Sequence, residues 1–313
     1  MNEKLKILII ILSIILLPII IIPIVLFRIA FITPSKRTAL TSEEYQANNQ
    51  LKPYEQYFKE GLDFCNNTKH EVVHIKSFDG LRLQGYFYSR KDATVNIICV
   101  HGFHGRAQLD YGYVGKEFYN TGYNVLLIDM RGHGFSEGKT LTFGIKESQD
   151  IKDWVKFINN KNDLPIILDG VSMGSASVLM TVDTPMKNVK GIISDCGYSS
   201  PYEETKYVLN EQMHLPTFPF MNLTNLLARI NLHIDLKEKS PIDTVKKSLY
   251  PIIVFHGEDD TFVPTYMGKE IYSSINASKK LVLVPNASHA LSYFVEMDRV
   301  TKECNDFINK CIN

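Results

Sequence analysis

The sequence has no excess of either charge: 34 Lys and Arg are offset by 34 Asp and Glu. A nucleic-acid-binding surface needs clustered basic side chains to neutralise phosphates, so this balance argues against a nucleic-acid partner. Cysteine is also scarce. The five residues, Cys65, Cys99, Cys196, Cys304 and Cys311, are odd in number and scattered, with no CxxC pair and no Cys/His spacing suited to zinc. They make no disulfide framework and lean towards a reducing compartment. Cys99, inside the apolar run NIICV, reads as a small buried hydrophobe. There is no internal repeat, and no low-complexity tract outside the N-terminus.

One feature departs from this ordinary composition. Ile7 to Phe27 is a run of 21 uncharged residues, mostly Ile and Leu. A bilayer core about 30 Å thick needs roughly 20 apolar residues in a helix. Pro18 and Pro23 would break a soluble helix, whereas membrane helices tolerate proline better. A signal peptide is the competing reading, but its apolar region is shorter and ends in a small-residue cleavage site, which LFRIAFITPSKR does not offer. The expectation is an uncleaved transmembrane anchor over 1–32. Lys4 and Lys6 precede the span and Arg28, Lys36 and Arg37 follow it. That count leans towards a cytoplasmic domain without deciding the side. Residues 33–70 are polar and mixed and read as a partly helical juxtamembrane connector.

From about residue 71 a rhythm begins. EVVHIKSF and LRLQGYFYSR flank Asp79-Gly80, a hairpin signal. Short continuous apolar runs then alternate with helical stretches. The runs are VNIICVH, NVLLIDM, PIILDGV, VKGIISD, PIIVFHG and KLVLVP. Continuous rather than alternating apolar runs indicate strands buried on both faces. Their alternation with helices indicates the α/β class, a mostly parallel sheet between helical layers, with the hairpin at one edge. Residues 197–249 interrupt the rhythm with a long segment rich in apolar side chains (HLPTFPFMNLTNLLARINLHI), read as a helical cap inserted in a domain spanning 71–313.

Gly170-Val171-Ser172-Met173-Gly174 follows a strand candidate and precedes a helical one. G-x-S-x-G in that setting is the arrangement of a nucleophile elbow. A sharp strand-to-helix turn strains the serine, and side chains two residues either side would meet backbone, which glycine avoids. Serine is a weak nucleophile and needs a base. His289, in VLVPNASHALSY, lies just past the last strand candidate and is the base candidate. The base needs a carboxylate to fix its tautomer. VFHGEDDTFVP offers Asp259 and Asp260, and Asp195 is a weaker third candidate. Spacing alone leaves Asp259 and Asp260 open. The oxyanion donors expected are the Met173 amide, next to the serine, and the Phe103 amide in CVHGFHG, with the His104 side chain a weaker alternative. His101 and His104 lack the carboxylate cluster that a metal site would add.

In this order, HGFHG, DMRGHGFSEG, GVSMG, HGEDDTFVP and SHA resemble the α/β-hydrolase superfamily, over about residues 71–313. SDCGYSSPYEE and SPIDTVKKSLYPIIVFHG are similar to small bacterial serine hydrolases related to the serine aminopeptidase and prolyl-oligopeptidase catalytic domains. The resemblance implies the α/β-hydrolase fold, and the acid position of HGxxDxxVP maps to Asp260. It implies a structural role for Arg131, His133 and Ser136, and no cofactor or metal. The resemblance implies acyl transfer to water through Ser172, Asp260 and His289; with the apolar N-terminal run and the apolar segment 197–249, the expectation is a membrane-anchored hydrolase of small or lipid-like acyl esters. A peptidase, amidase or thioesterase using the same residues is the alternative. A non-catalytic binding module of this fold would be expected to lose one of the three residues or an elbow glycine; here all are present.

Overall fold

The computed structural model describes residues 3–33 and 51–313. The helices are α1 (Glu3–Phe31), α2 (Glu55–Asn67), α3 (Ala107–Thr121), α4 (Glu147–Lys161), α5 (Met173–Leu179), α6 (Pro201–Tyr207), α7 (Thr217–Leu232), α8 (Pro241–Val245), α9 (Thr265–Ser274), α10 (Ser292–Val295) and α11 (Met297–Ile312). The strands are β1 (Glu71–Lys76), β2 (Arg82–Tyr88), β3 (Asn96–Val100), β4 (Asn124–Ile128), β5 (Ile166–Val171), β6 (Val189–Asp195), β7 (Ile252–Gly257) and β8 (Lys279–Val284).

The eight strands form one sheet in the order β1-β2-β4-β3-β5-β6-β7-β8. β1 pairs antiparallel with β2, and β2 antiparallel with β4; every pair from β4 to β8 is parallel. The hairpin therefore sits at one edge, as its sequence predicts, with Gly80 at φ 95° in the turn. Successive strand residues face opposite sides. Ile98 and Val100 join the core cluster on one face of β3, and Ile97 and Cys99 the cluster on the other. Both faces are covered, which is why these strands are apolar throughout.

The second half of the expected connector is built into the domain. Phe58, Leu62, Phe64 and Cys65 of α2 are buried, and α2 packs on α3 where Gly61 meets Gly112. A Cβ on Gly112 would stand 2.9 Å from the Gly61 carbonyl carbon, so the two backbones pass too closely for any side chain there. Residues 34–50, the first part of the expected connector, lie outside the described residues.

Helix α1 is a single helix of 29 residues that continues through Pro18 and Pro23. It is long and apolar enough to cross a membrane. Its C-terminal end is not separate from the domain. Phe31 is fully buried, with its ring 5.3 Å from Phe143. Leu141 donates its N–H to the Phe31 carbonyl at 3.0 Å, and Thr33 donates to Lys139 at 3.0 Å. α1 also packs against α7 of the segment 197–249. That segment folds as α6, a π-helical turn over Val208–Gln212, α7 and α8. Ser200 and Ser240 cap α6 and α8, each hydroxyl accepting the N–H three residues on.

Candidate active site

Parallel β3, β5, β6 and β7 all end at one edge of the sheet, and the sequence-identified residues gather there. Ser172 lies between β5 and α5 at φ 55°, ψ −118°, a conformation few non-glycine residues adopt. The chain tolerates it because of its neighbours. A Cβ at Gly170 would stand 2.5 Å from the Gly174 carbonyl oxygen, and one at Gly174 would overlap the Val100 carbonyl oxygen. Both glycines let the first turn of α5 fold back against the ends of β5 and β3 without collision. The serine backbone is held by its own N–H, which donates to the Asp195 carbonyl at 2.9 Å.

His289 joins Ser172 and Asp260. His289 Nε2 is 2.8 Å from Ser172 Oγ, and Nδ1 is 2.7 Å from Asp260 Oδ2. An ionised carboxylate only accepts, so Nδ1 carries the proton and Nε2 is left to accept from the serine hydroxyl. The other Asp260 oxygen accepts N–H bonds from Phe262 and Val263, each at 2.9 Å. Burial alone would raise the Asp260 pKa, but the hydrogen bonds and charges of His256 and His289 outweigh it, holding the group down to about 2. His256, whose Nε2 is 3.5 Å from Asp260 Oδ2, was not singled out from sequence, although it stands in the same HGEDD motif.

Asp259 is exposed, whereas Asp260 is buried against the histidine. Asp195 is also buried but accepts from the Ser292 hydroxyl at 2.9 Å, so it stabilises the loop that carries His289 onward into α10. The Met173 and Phe103 amides have no acceptor among the described residues. Met173 opens α5, where a first-turn N–H has no intrahelical partner. The Phe103 loop lies against the serine: a Cβ on Gly102 would be 3.4 Å from Ser172 Cβ, and Gly102 donates its N–H to Asp110 Oδ2 at 3.1 Å. His104 stacks on Phe103, with ring centroids 3.9 Å apart, and lines neither cavity described below. His101 is fully buried with both nitrogens used: Nε2 accepts from the Met130 N–H at 3.0 Å and Nδ1 donates to the Gly102 carbonyl at 2.8 Å.

The DMRGHGFSEG loop is a brace. Arg131 Nε and Nη2 each donate to Asp150 at 2.7 Å, and Nη1 donates to Asp79 at 2.9 Å. His133 bonds the Arg131 carbonyl, and the Ser136 hydroxyl donates to the Asp129 carbonyl at 2.6 Å.

Two cavities meet at Ser172, Phe103 and Phe262. The larger, about 410 Å³, reaches His289 and has Asp110, Asp169 and Asp195 in its wall. The smaller, about 240 Å³, is apolar and runs under the segment 197–249 to helix α1. The participation of α1 was not readable from sequence, because nothing local to that apolar run marks what it packs against.

The comparisons with known proteins agree with this architecture. Residues 91–240 match the family model for serine aminopeptidase, S33; Asp260 and His289 lie beyond the matched stretch. An uncharacterised Bacillus subtilis protein, YqkD, is 27% identical over 238 residues, covering 75% of this chain and 78% of its own. The lysophosphatidylserine lipase ABHD12 of Xenopus tropicalis is 24% identical over 267 residues, covering 81% of this chain and 64% of its own. The solved structure of the Pyrococcus furiosus esterase Pf2001 superposes with a TM-score of 0.66 at 20% identity, covering 90% of this chain and 100% of its own. The eight-stranded sheet in this order is the α/β-hydrolase fold, and the match of residues 91–240 together with the esterase structures that share this fold supports a hydrolase.

Proposed function

We propose that this protein is a membrane-anchored serine hydrolase that cleaves carboxylic esters. The observation that carries the reading is the continuous chain from Ser172 Oγ to His289 Nε2 at 2.8 Å and from His289 Nδ1 to Asp260 Oδ2 at 2.7 Å. Ser172 Oγ attacks the ester carbonyl carbon as His289 Nε2 takes the hydroxyl proton. The oxyanion sits between the Met173 and Phe103 amides. Collapse breaks the bond to the alcohol, which leaves with the proton from His289, and Ser172 carries the acyl group. A water molecule, giving its proton to His289, then attacks the acyl-enzyme. The acid is released and the proton returns to Ser172. Asp260 remains ionised throughout and stabilises the imidazolium.

The anchor reading rests on the uncharged run Ile7–Phe27 within α1 and on the exposed apolar side chains along the helix, among them Ile14, Ile20 and Ile21. The ester reading is supported by the resemblance in fold to an esterase and by a lipase among the relatives. The match to serine aminopeptidase favours a second reading, amide or peptide hydrolysis at the same serine.

A fluorophosphonate probe tests the first step. Labelling of the wild type and its loss in Ser172→Ala is expected; equal labelling of both would refute Ser172 as the nucleophile. Kinetics on matched ester, thioester and amide substrates test the second step, and an amide rate equal to the ester rate rejects the esterase reading. Fractionation of cells expressing the full chain tests the anchor: the protein is expected in the membrane pellet after a high-salt wash.

A further inference from the structure

The smaller cavity is walled on one side by the end of the apolar helix. Leu26, Ile29 and Ala30 of α1 face Val208, Leu209 and Met221 of the segment 197–249, and Ser172 and Met173 close the inner end. Its polar members are few. Tyr198 Oη, Glu204 Oε2 and Thr224 Oγ1 are buried without a hydrogen-bond partner among the described residues. Burial raises the Glu204 pKa to about 8, with Asp260 adding to the rise, so its carboxyl is neutral at pH 7. The cavity is therefore uncharged as well as apolar.

The position of this wall along α1 matters. Ile7–Phe27 is uncharged and, at 1.5 Å per residue, spans about 30 Å, the thickness of a bilayer's hydrocarbon core. Leu26, Ile29 and Ala30 then stand where the hydrocarbon ends and the ester groups of lipids begin, beside exposed Arg28. Apolar surface continues outward from the cavity on two packed elements. Ile24, Val25 and Ile29 of α1 are exposed, as are Phe218, Leu226 and Ile230 of α7. A water-facing surface of this kind is costly; a bilayer-facing one is not.

We infer that the last two turns of α1 form one wall of the acyl site, and that the substrate is a single-chain acyl ester whose chain passes from the bilayer between α1 and α7 to Ser172. This rests on the hydrolase reading above and names its substrate class. The chain exchanges hydrocarbon for an apolar cavity without crossing water, so no methylene is exposed on the way. The alcohol portion occupies the larger cavity, whose wall carries carboxyl groups and His289. The bonds formed and broken are those already given for Ser172; α1 adds position and chain selectivity.

The test uses the full chain in phosphatidylcholine vesicles, with p-nitrophenyl acetate and p-nitrophenyl laurate. Ala30→Trp and, from the facing wall, Met221→Trp are expected to lower the laurate-to-acetate ratio of kcat/KM by about tenfold or more. Ile14→Trp, exposed on α1 well before its last two turns, is expected to leave that ratio at the wild-type value. A ratio unchanged in both cavity variants overturns the acyl-site assignment while leaving the hydrolase reading intact. Failure of the wild type to hydrolyse either ester, or full activity in Ser172→Ala, overturns the hydrolase reading instead. A long-chain alkyl fluorophosphonate with a terminal diazirine asks the question without any substitution. After labelling Ser172, its photocross-links are expected on Leu26–Ala30 or on α7. Cross-links confined to the α2 side of the larger cavity, near Phe58, place the chain elsewhere and overturn the inference.

Discussion

His289 Nε2 lies 2.8 Å from Ser172 Oγ, although 117 positions separate the two residues in sequence. The serine is fixed by the β5-to-α5 turn and the histidine by the loop after β8. Their meeting depends on the register of the parallel strands between them, and so does the third residue, Asp260, at the end of β7.

Asp260→Asn keeps the size of the side chain but removes the acceptor that holds the His289 proton on Nδ1. Ester hydrolysis is expected to fall by about four orders of magnitude in kcat, with the fold retained by circular dichroism. Asp259→Asn, at an exposed position, is expected to change kcat little. A comparable loss in both variants would reverse the assignment of the carboxylate.

Gly174→Ala places a methyl group onto the Val100 carbonyl oxygen. Because that neighbour is backbone in the central strand β3, it has little room to yield. The expected cost is about 1–3 kcal/mol in denaturant unfolding, with a loss of fluorophosphonate labelling as Ser172 is displaced. Gly122→Ala meets no atom of the described residues within 4 Å, yet lies at φ 109°, so it is expected to cost stability through backbone strain and leave labelling unchanged.

Arg131 is buried between Asp150 and Asp79, away from both cavities. Arg131→Met leaves the buried Asp150 carboxylate without its cation. A loss of about 3–5 kcal/mol is expected from the denaturation midpoint, because removing one partner strands the other. The KM for acetate esters is expected to stay at the wild-type value in the folded fraction.

Two carboxyl groups set pH dependences of separate kinds. Glu204 has its pKa raised to about 8 by burial, so it is neutral below that pH and charged above it. Among the described residues the groups that interact with it are Asp260 and the Tyr198, Tyr207 and Tyr266 hydroxyls, none of which supplies positive charge. A charge in the apolar cavity disfavours an acyl chain, so KM for laurate is expected to rise as pH passes about 8, and Glu204→Gln to abolish the rise. Asp169 is likewise raised to about 8, by burial first and then by Asp195, against the opposing Tyr111 hydrogen bond. A group raised in the folded state stabilises it fully below the unfolded pKa, and that contribution is lost as pH rises through the folded one. Asp169→Asn is expected to melt progressively higher than the wild type as pH goes from 3.8 towards about 8. A gap independent of pH would assign the Asp169 proton wrongly.

What the sequence alone determined was local. Continuous apolar runs such as NIICV and NVLLI set which segments are buried strands, because a strand covered on both faces has no polar position to fill. Gly170 and Gly174 marked the elbow, because the steric demand of a tight turn falls on residues within a few positions. The tertiary structure decided what depends on distant parts of the chain meeting. It chose between adjacent Asp259 and Asp260 by turning one carboxylate to His289 and the other to solvent. It brought His256 Nε2 to 3.5 Å from the same Asp260 oxygen that holds His289. It also set the end of α1 against the cavity beside Ser172. An apolar helix looks the same in sequence whether its neighbour is lipid, core or substrate, since hydrophobic burial carries no direction; only the packing of α1 on α7 gave it one.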